Sequence, residues 1–132
     1  LVDGTRAVVT AESGTLDVLE VPSHASAHRV RTGGAGARPM GVALAPDGEH
    51  AWVANGREGS VVEVDLARFE VSRRVHGVGT RAWGVALTPD GKKLYVAAGP
   101  DVAVVDVASA RVVTRISAGD GPWGVAIARR AP

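Results

Sequence analysis

The sequence predicts an all-β fold, a β-propeller of about three four-stranded antiparallel blades, from three observations. Short apolar runs rich in valine alternate with Gly- and Pro-containing turns. Three separate markers recur with one period of about 43 residues. Each full period holds four strand-like runs, which is the pattern of a propeller blade.

The stretch from Arg81 to Val107 shows the unit most clearly. Trp83 to Leu87 is a short apolar run, and Pro89-Asp90-Gly91 closes it with a residue that pre-sets φ and one that tolerates positive φ. Leu94 to Ala98 reads as a second strand, Gly99-Pro100 as a turn, and Val102 to Val107 as a third strand. Runs packed this densely must pair as antiparallel hairpins, because a parallel crossover needs about a dozen connecting residues.

Along the chain, the turn marker appears as Val2-Asp3-Gly4, Pro46-Asp47-Gly48 and Pro89-Asp90-Gly91. A Gly-Val that opens a strand recurs at Gly41-Val42, Gly84-Val85 and Gly124-Val125, and an acidic residue near the end of each third strand recurs as Glu20, Asp65 and Asp106. The middle copy reads as strands over Gly41–Ala45, Ala51–Asn55, Ser60–Leu66 and Glu70–His76. The third reads as Gly84–Thr88, Leu94–Ala98, Val102–Val107 and Arg111–Ser117. The first copy is entered at its second strand, Ala7–Ala11, and the last run, Trp123–Ala128, is expected to complete that blade. The blades then divide at about 1–39 (completed by 123–128), 40–82 and 83–122.

Composition agrees with one turn-dense domain: 132 residues, 45% hydrophobic, with 17 glycines and 7 prolines. Aromatics are few, so valine and alanine supply most of the packing. With 15 basic and 14 acidic residues the net charge of +1 offers no single-sign field for nucleic acid, and no run is long enough for membrane insertion. No cysteine is present, which excludes disulfides and thiolate chemistry.

The pattern Gly-Val-Ala-Leu-x-Pro-Asp-Gly, followed by Trp52-Val53-Ala54-Asn55 or Tyr95-Val96-Ala97-Ala98 and by Val104-Val105-Asp106-Val107, resembles the YVTN-type β-propeller repeat. That resemblance implies a periplasmic or extracellular binding or surface module, within a superfamily that also contains lactonase-type enzymes. The first copy departs from the pattern at Thr10-Ala11-Glu12 and Pro22-Ser23-His24-Ala25.

Three blades do not close a ring of about four to eight, so two apolar faces are expected to be covered by the remaining blades of a longer chain or by a second copy. The loops that gather at one end of the channel carry Arg38, Met40, Arg81, Trp83, Asp120 and Trp123, with Glu12, Asn55, Arg57, Glu58 and Asp101 from the turns between second and third strands. Met40, Trp83 and Trp123 share one repeat position and either plug the gap between blades or line a ligand mouth. Arg38 and Arg81 share another, where the third copy has Gly121, and either hold a carboxylate or phosphate or pair with loop carboxylates.

Elsewhere the local readings are structural. The outer-strand arginines Arg29, Arg31, Arg73, Arg74, Arg111 and Arg115 read as protection of sheet edges. His24, His28 and His50 lie in or near turns, and Thr32-Gly33-Gly34-Ala35-Gly36 reads as a flexible loop. Asp47 and Asp90 belong to turns, and Glu20, Asp65 and Asp106 are expected to accept hydrogen bonds from turn amides. No catalytic motif, metal site or cofactor signature stands out, so the expected function is a non-catalytic propeller module that binds a small molecule or a protein. The alternative is a lactonase-like hydrolase at the channel mouth, built from Glu12, Glu58 or Asp120 with Arg38 or Arg81.

Overall fold

A computed structural model describes residues 4–130 and shows eleven strands, all of them paired antiparallel. They are β1 (Arg6–Ala11), β2 (Thr15–Glu20), β3 (Ala25–Arg31), β4 (Pro39–Leu44), β5 (His50–Asn55), β6 (Ser60–Asp65), β7 (Glu70–Val75), β8 (Ala82–Leu87), β9 (Lys93–Ala98), β10 (Asp101–Asp106) and β11 (Arg111–Ser117). They form three sheets in the orders β1-β2-β3, β4-β5-β6-β7 and β8-β9-β10-β11. Stacked side by side through the contacts of β1 with β4 and β4 with β8, they are the blades of a β-propeller.

The two-residue period of a strand explains why the middle sheet is buried on both faces. On β5, Ala51 and Val53 face the first sheet, where they join Leu16, Val18, Val30, Val62 and Val64. The alternate residues Trp52 and Ala54 face the third sheet and meet Val61, Val85, Leu94, Val96 and Val105. Small branched side chains let the sheets approach closely, and Trp52 is the largest side chain with no exposure.

Turn chemistry is repeated as the spacing predicts. The Asp47 carboxylate accepts hydrogen bonds from the Glu49 and His50 amides, and Asp90 accepts one from the Lys92 amide. Asp65 accepts from the Ala67 and Arg68 amides and Asp106 from the Ser109 amide. These bonds hold both aspartates below the usual carboxylate range, with Lys93 adding the largest effect on Asp106. Glu20 closes its turn through its backbone carbonyl, which accepts the His24 amide. Of the first turn marker, Val2 and Asp3 lie outside the described residues.

Glycine at the Gly-Val position sets the distance between sheets. A Cβ on Gly41 would strike the Trp83 carbonyl oxygen, and one on Gly84 would lie 2.8 Å from both the Gly124 Cα and the Trp123 carbonyl oxygen. Each inner strand therefore seats directly on the backbone of the next. A Cβ on Gly124, by contrast, would meet nothing within 4 Å.

Three expectations are corrected. Residues 123–128 form no strand, and the first sheet has three strands only. The physical reason is position: Trp123 to Val125 pack against Gly84 on the far side of the third sheet, away from the β1 ladder they were expected to join. The outer-strand arginines are not merely edge guards. Arg74 donates to the Thr32 carbonyl, and Arg115 donates to the carbonyls of Val78 and Gly77, so each grips the loop of the preceding sheet. Finally, the glycine loop after β3 is pinned, because the Thr32 amide and hydroxyl both donate to the Gly14 carbonyl and the Gly34 amide donates to Glu58.

Candidate functional site

One end of the stacked sheets collects the loops that enter β4 and β8 and the turns that leave β1, β5 and β9. Backbone bonds tie them together: the Gly56 amide donates to the Arg38 carbonyl and the Arg57 amide to the Ala37 carbonyl, each at 3.0 Å. Gly56 suits this close approach, since a Cβ there would lie a tight 3.2 Å from the Ala82 carbonyl oxygen and from Trp83 Cδ1.

Between the second and third sheets these loops frame a depression of about 270 Å³ lined by Arg38, Gly56, Arg57, Thr80, Arg81 and Trp83. A second depression of about 340 Å³ adjoins it and shares Thr80 and Arg81, adding Gly99, Pro100, Asp120 and Gly121. A slightly larger one, about 350 Å³, opens between Arg6, Glu49 and Phe69. Its Asp47 is already engaged by two turn amides and by His50 Nδ1 at 2.8 Å.

Two loop residues at this end share a left-handed backbone with the turn residues His24, Phe69 and Ala110. Arg38 and Arg81 have φ of 56° and 57°, in the left-handed region that side chains disfavour, and Gly121 occupies the equivalent place at 73°. A non-glycine residue held there costs about 1 kcal/mol. The loop needs the conformation, but it does not need arginine, as the third copy demonstrates.

Electrostatically the depression is basic. Arg38 Nε and Nη2 donate to Glu12 Oε1 at 3.1 and 2.9 Å, an exposed pair that fixes the side chain more than it stabilises the fold. Arg57 and Arg81 have no side-chain hydrogen bond or ion pair among the described residues. Trp83 is half-buried and packs on Trp123, with ring centroids 4.0 Å apart at 55°. Trp123 itself is 70% exposed.

Several residues expected at the mouth lie elsewhere. Asn55 is fully buried: its amide donates to the Thr32 carbonyl at 2.9 Å and its oxygen accepts the Thr32 hydroxyl at 3.2 Å. Glu58 faces the first sheet, where Oε1 accepts the Gly34 amide and Oε2 accepts Arg74. Met40 is half-buried in β4 and does not line the depression; its carbonyl accepts the Thr10 hydroxyl. Glu12 is held by Arg38, and Asp120 lies in the adjoining depression. The carboxylates on which a hydrolase reading depends are thus dispersed, and among the described residues no three acidic or histidine side chains group to hold a metal.

Sequence reasoning placed Arg38, Arg57, Arg81 and Trp83 at this end but missed Thr80 and Gly56. Thr80 immediately precedes Arg81, and Gly56 follows the strand-end Asn55, a position where a glycine signals close backbone approach.

The sequence matches the family model described as Cytochrome D1 heme domain over residues 3–129. No curated protein matches it. Among solved structures it is similar to Kuenenia stuttgartiensis Hydrazine Synthase, with a TM-score of 0.84 and 26% identity, covering 92% of this chain and 35% of that chain. The chain therefore spans about a third of the length of that structure.

Proposed function

The chain belongs to the Cytochrome D1 heme domain family, and from that premise we propose that it serves as a non-catalytic propeller module whose channel end binds a small ligand. The observation that carries this reading is the depression framed by Arg38, Arg57, Arg81 and Trp83, which places convergent polar groups beside an aromatic wall. We place the blades at about 1–39, 40–82 and 83–122, with further blades, from a longer chain or a second copy, covering the two outer faces. Exposed Val9, Val113 and Ile116 on β1 and β11 support such cover. The YVTN-type repeat is carried by Trp52 to Asn55 and Tyr95 to Ala98, and with it comes a periplasmic or extracellular setting. Among the described residues no helix is long and apolar enough to cross a membrane.

The heme named in the family description does not fit the residues at this end. The lining residues are three arginines, a glycine, a threonine and a tryptophan, and none is a residue type that ligates heme iron. His24 and His28 lie at the outer strand of the first sheet, with His28 stacked on Phe69 at 3.5 Å; His50 is bonded to Asp47, and His76 is exposed beyond β7. The lactonase-like alternative requires acidic side chains to converge, and Glu12 and Glu58 are each held by a separate arginine.

The test is a titration of the protein with a panel of small molecules, followed by the amide signals of Gly56 and Thr80 and by tryptophan fluorescence. Trp83→Ala is expected to weaken binding with little loss of stability. A large stability loss with no change in binding would assign Trp83 to packing and overturn the ligand-mouth reading.

A further inference from the structure

We propose that the depression between Arg57 and Arg81 is a carboxylate site, shaped to hold a small planar acid with its ring against Trp83. This narrows the channel-end reading above, on which it rests, to one chemical class of ligand.

Charge is the first argument. Three arginines line the depression and no acidic residue does. Arg38 is oriented by Glu12, while Arg57 and Arg81 have no partner among the described residues. The nearby acids do not neutralise them. Glu58 is occupied by Arg74 and the Gly34 amide, and Asp120 shares the adjoining depression with Arg81 without pairing with it. Two arginines without side-chain partners at one depression supply the planar donors that a carboxylate accepts bidentately.

The second argument is the backbone. Arg81 is held at φ 57° although the same loop position is filled by Gly121 in the next repeat. Glycine would adopt that conformation without strain. Arginine at a position that glycine fills in the next repeat places a long cationic side chain at the channel end that the backbone conformation itself does not call for.

The third argument is the wall. Trp83 presents its indole to the same cavity, is backed by Trp123, and is kept in place by the absence of a side chain on Gly56. A flat apolar face beside a cationic pair selects a ligand that is itself half apolar ring and half anion. A depression of about 270 Å³ has room for a single ring.

Benzoate is the probe, with benzamide as its uncharged counterpart and inorganic phosphate as an anion without a ring. Benzoate is expected to shift the Gly56 and Thr80 amide signals, and benzamide is not. Arg57→Gln is expected to weaken benzoate binding by about tenfold, as loss of a charge-assisted hydrogen bond does. The decisive variant is Arg81→Gly, which is expected to weaken benzoate by a similar factor while the melting temperature holds or rises, since the strain is relieved. Unchanged binding in Arg81→Gly, or a fall in melting temperature alongside lost binding, overturns the assignment and makes Arg81 a structural residue. Phosphate binding more tightly than benzoate overturns the planar-acid class. Equal shifts from benzamide and benzoate also overturn it but leave the ligand mouth standing, whereas no shift from any probe removes both.

Discussion

Arg73 grips Glu63 through two bonds of 2.7 Å, Nε to Oε2 and Nη2 to Oε1, and with its remaining Nη1 donates to the Val107 carbonyl of the third sheet at 2.6 Å. Glu63 is buried, and Ser72 donates a further bond to it. The guanidinium also lies 5.5 Å from the Trp52 ring centroid. One side chain thus neutralises a buried carboxylate in its own sheet and latches that sheet to its neighbour. Arg73→Ala is expected to cost about 3 kcal/mol, because it strands the carboxylate. Urea unfolding measures it, and a loss no larger than that of Arg111→Ala, an exposed residue at the start of β11, would refute the latch.

Acid should weaken the same latch. Burial alone would raise the Glu63 pKa, but hydrogen bonds from Arg73 and Ser72 more than reverse this and leave it below its ordinary value of 4.5. A depressed folded-state pKa contributes stability that is fully present above the unfolded value and is lost as pH falls through the folded one. The stability difference between the wild-type chain and Glu63→Gln should therefore be greatest above 4.5 and shrink below it. A difference that stays constant from about pH 7 to about pH 3 would contradict the assignment.

The glycines of the inner strands offer a paired comparison. Gly84→Ala forces a Cβ to within 2.8 Å of the Gly124 Cα and the Trp123 carbonyl, where only backbone can yield, and is expected to cost about 2 kcal/mol. It should also separate Trp83 from Trp123, visible as a change in tryptophan emission. Gly124→Ala meets nothing within 4 Å and should be nearly neutral in this polypeptide. An equal loss at Gly124 would mean that another inner strand, from a further blade or a second copy, seats on it in solution.

Asn55→Ala should separate folding from binding at the same end of the molecule. The side chain is buried and joined to Thr32 by two hydrogen bonds, so its removal is expected to cost about 2 kcal/mol. Its amide points toward the first sheet, away from the arginine-lined depression, and ligand affinity in folded protein should be unchanged. Calorimetric titration of the variant below its melting temperature checks this, and a loss of affinity would return Asn55 to the mouth.

Much of the architecture was legible in the chain itself, for local physical reasons. Pro46-Asp47-Gly48 and Pro89-Asp90-Gly91 carry their turn geometry in their own backbone and side chains, and short apolar runs rich in valine announce strands between them. Repetition then multiplied each weak local signal, so the three-sheet propeller followed. The clustering of Arg38, Arg57, Arg81 and Trp83 was also readable, since topology alone brings those loops to one end.

Only tertiary structure decided which polar side chains are available. Asn55 and Glu58 sit in the same turn region as Arg57, yet Thr32, Gly34 and Arg74 claim them from across a sheet boundary, at separations the repeat does not encode. Three outer-strand arginines became latches for the same reason: Arg74 and Arg115 find carbonyls in the preceding sheet and Arg73 finds one in the following sheet, where their own copies of the repeat have no part. The run 123–128 has strand chemistry but lies beside Gly84 instead of a hydrogen-bonding partner, because a strand exists only where another chain segment completes its ladder. Short-range chemistry determines turns and strand character, whereas the pairing of charges and edges depends on neighbours brought close by packing.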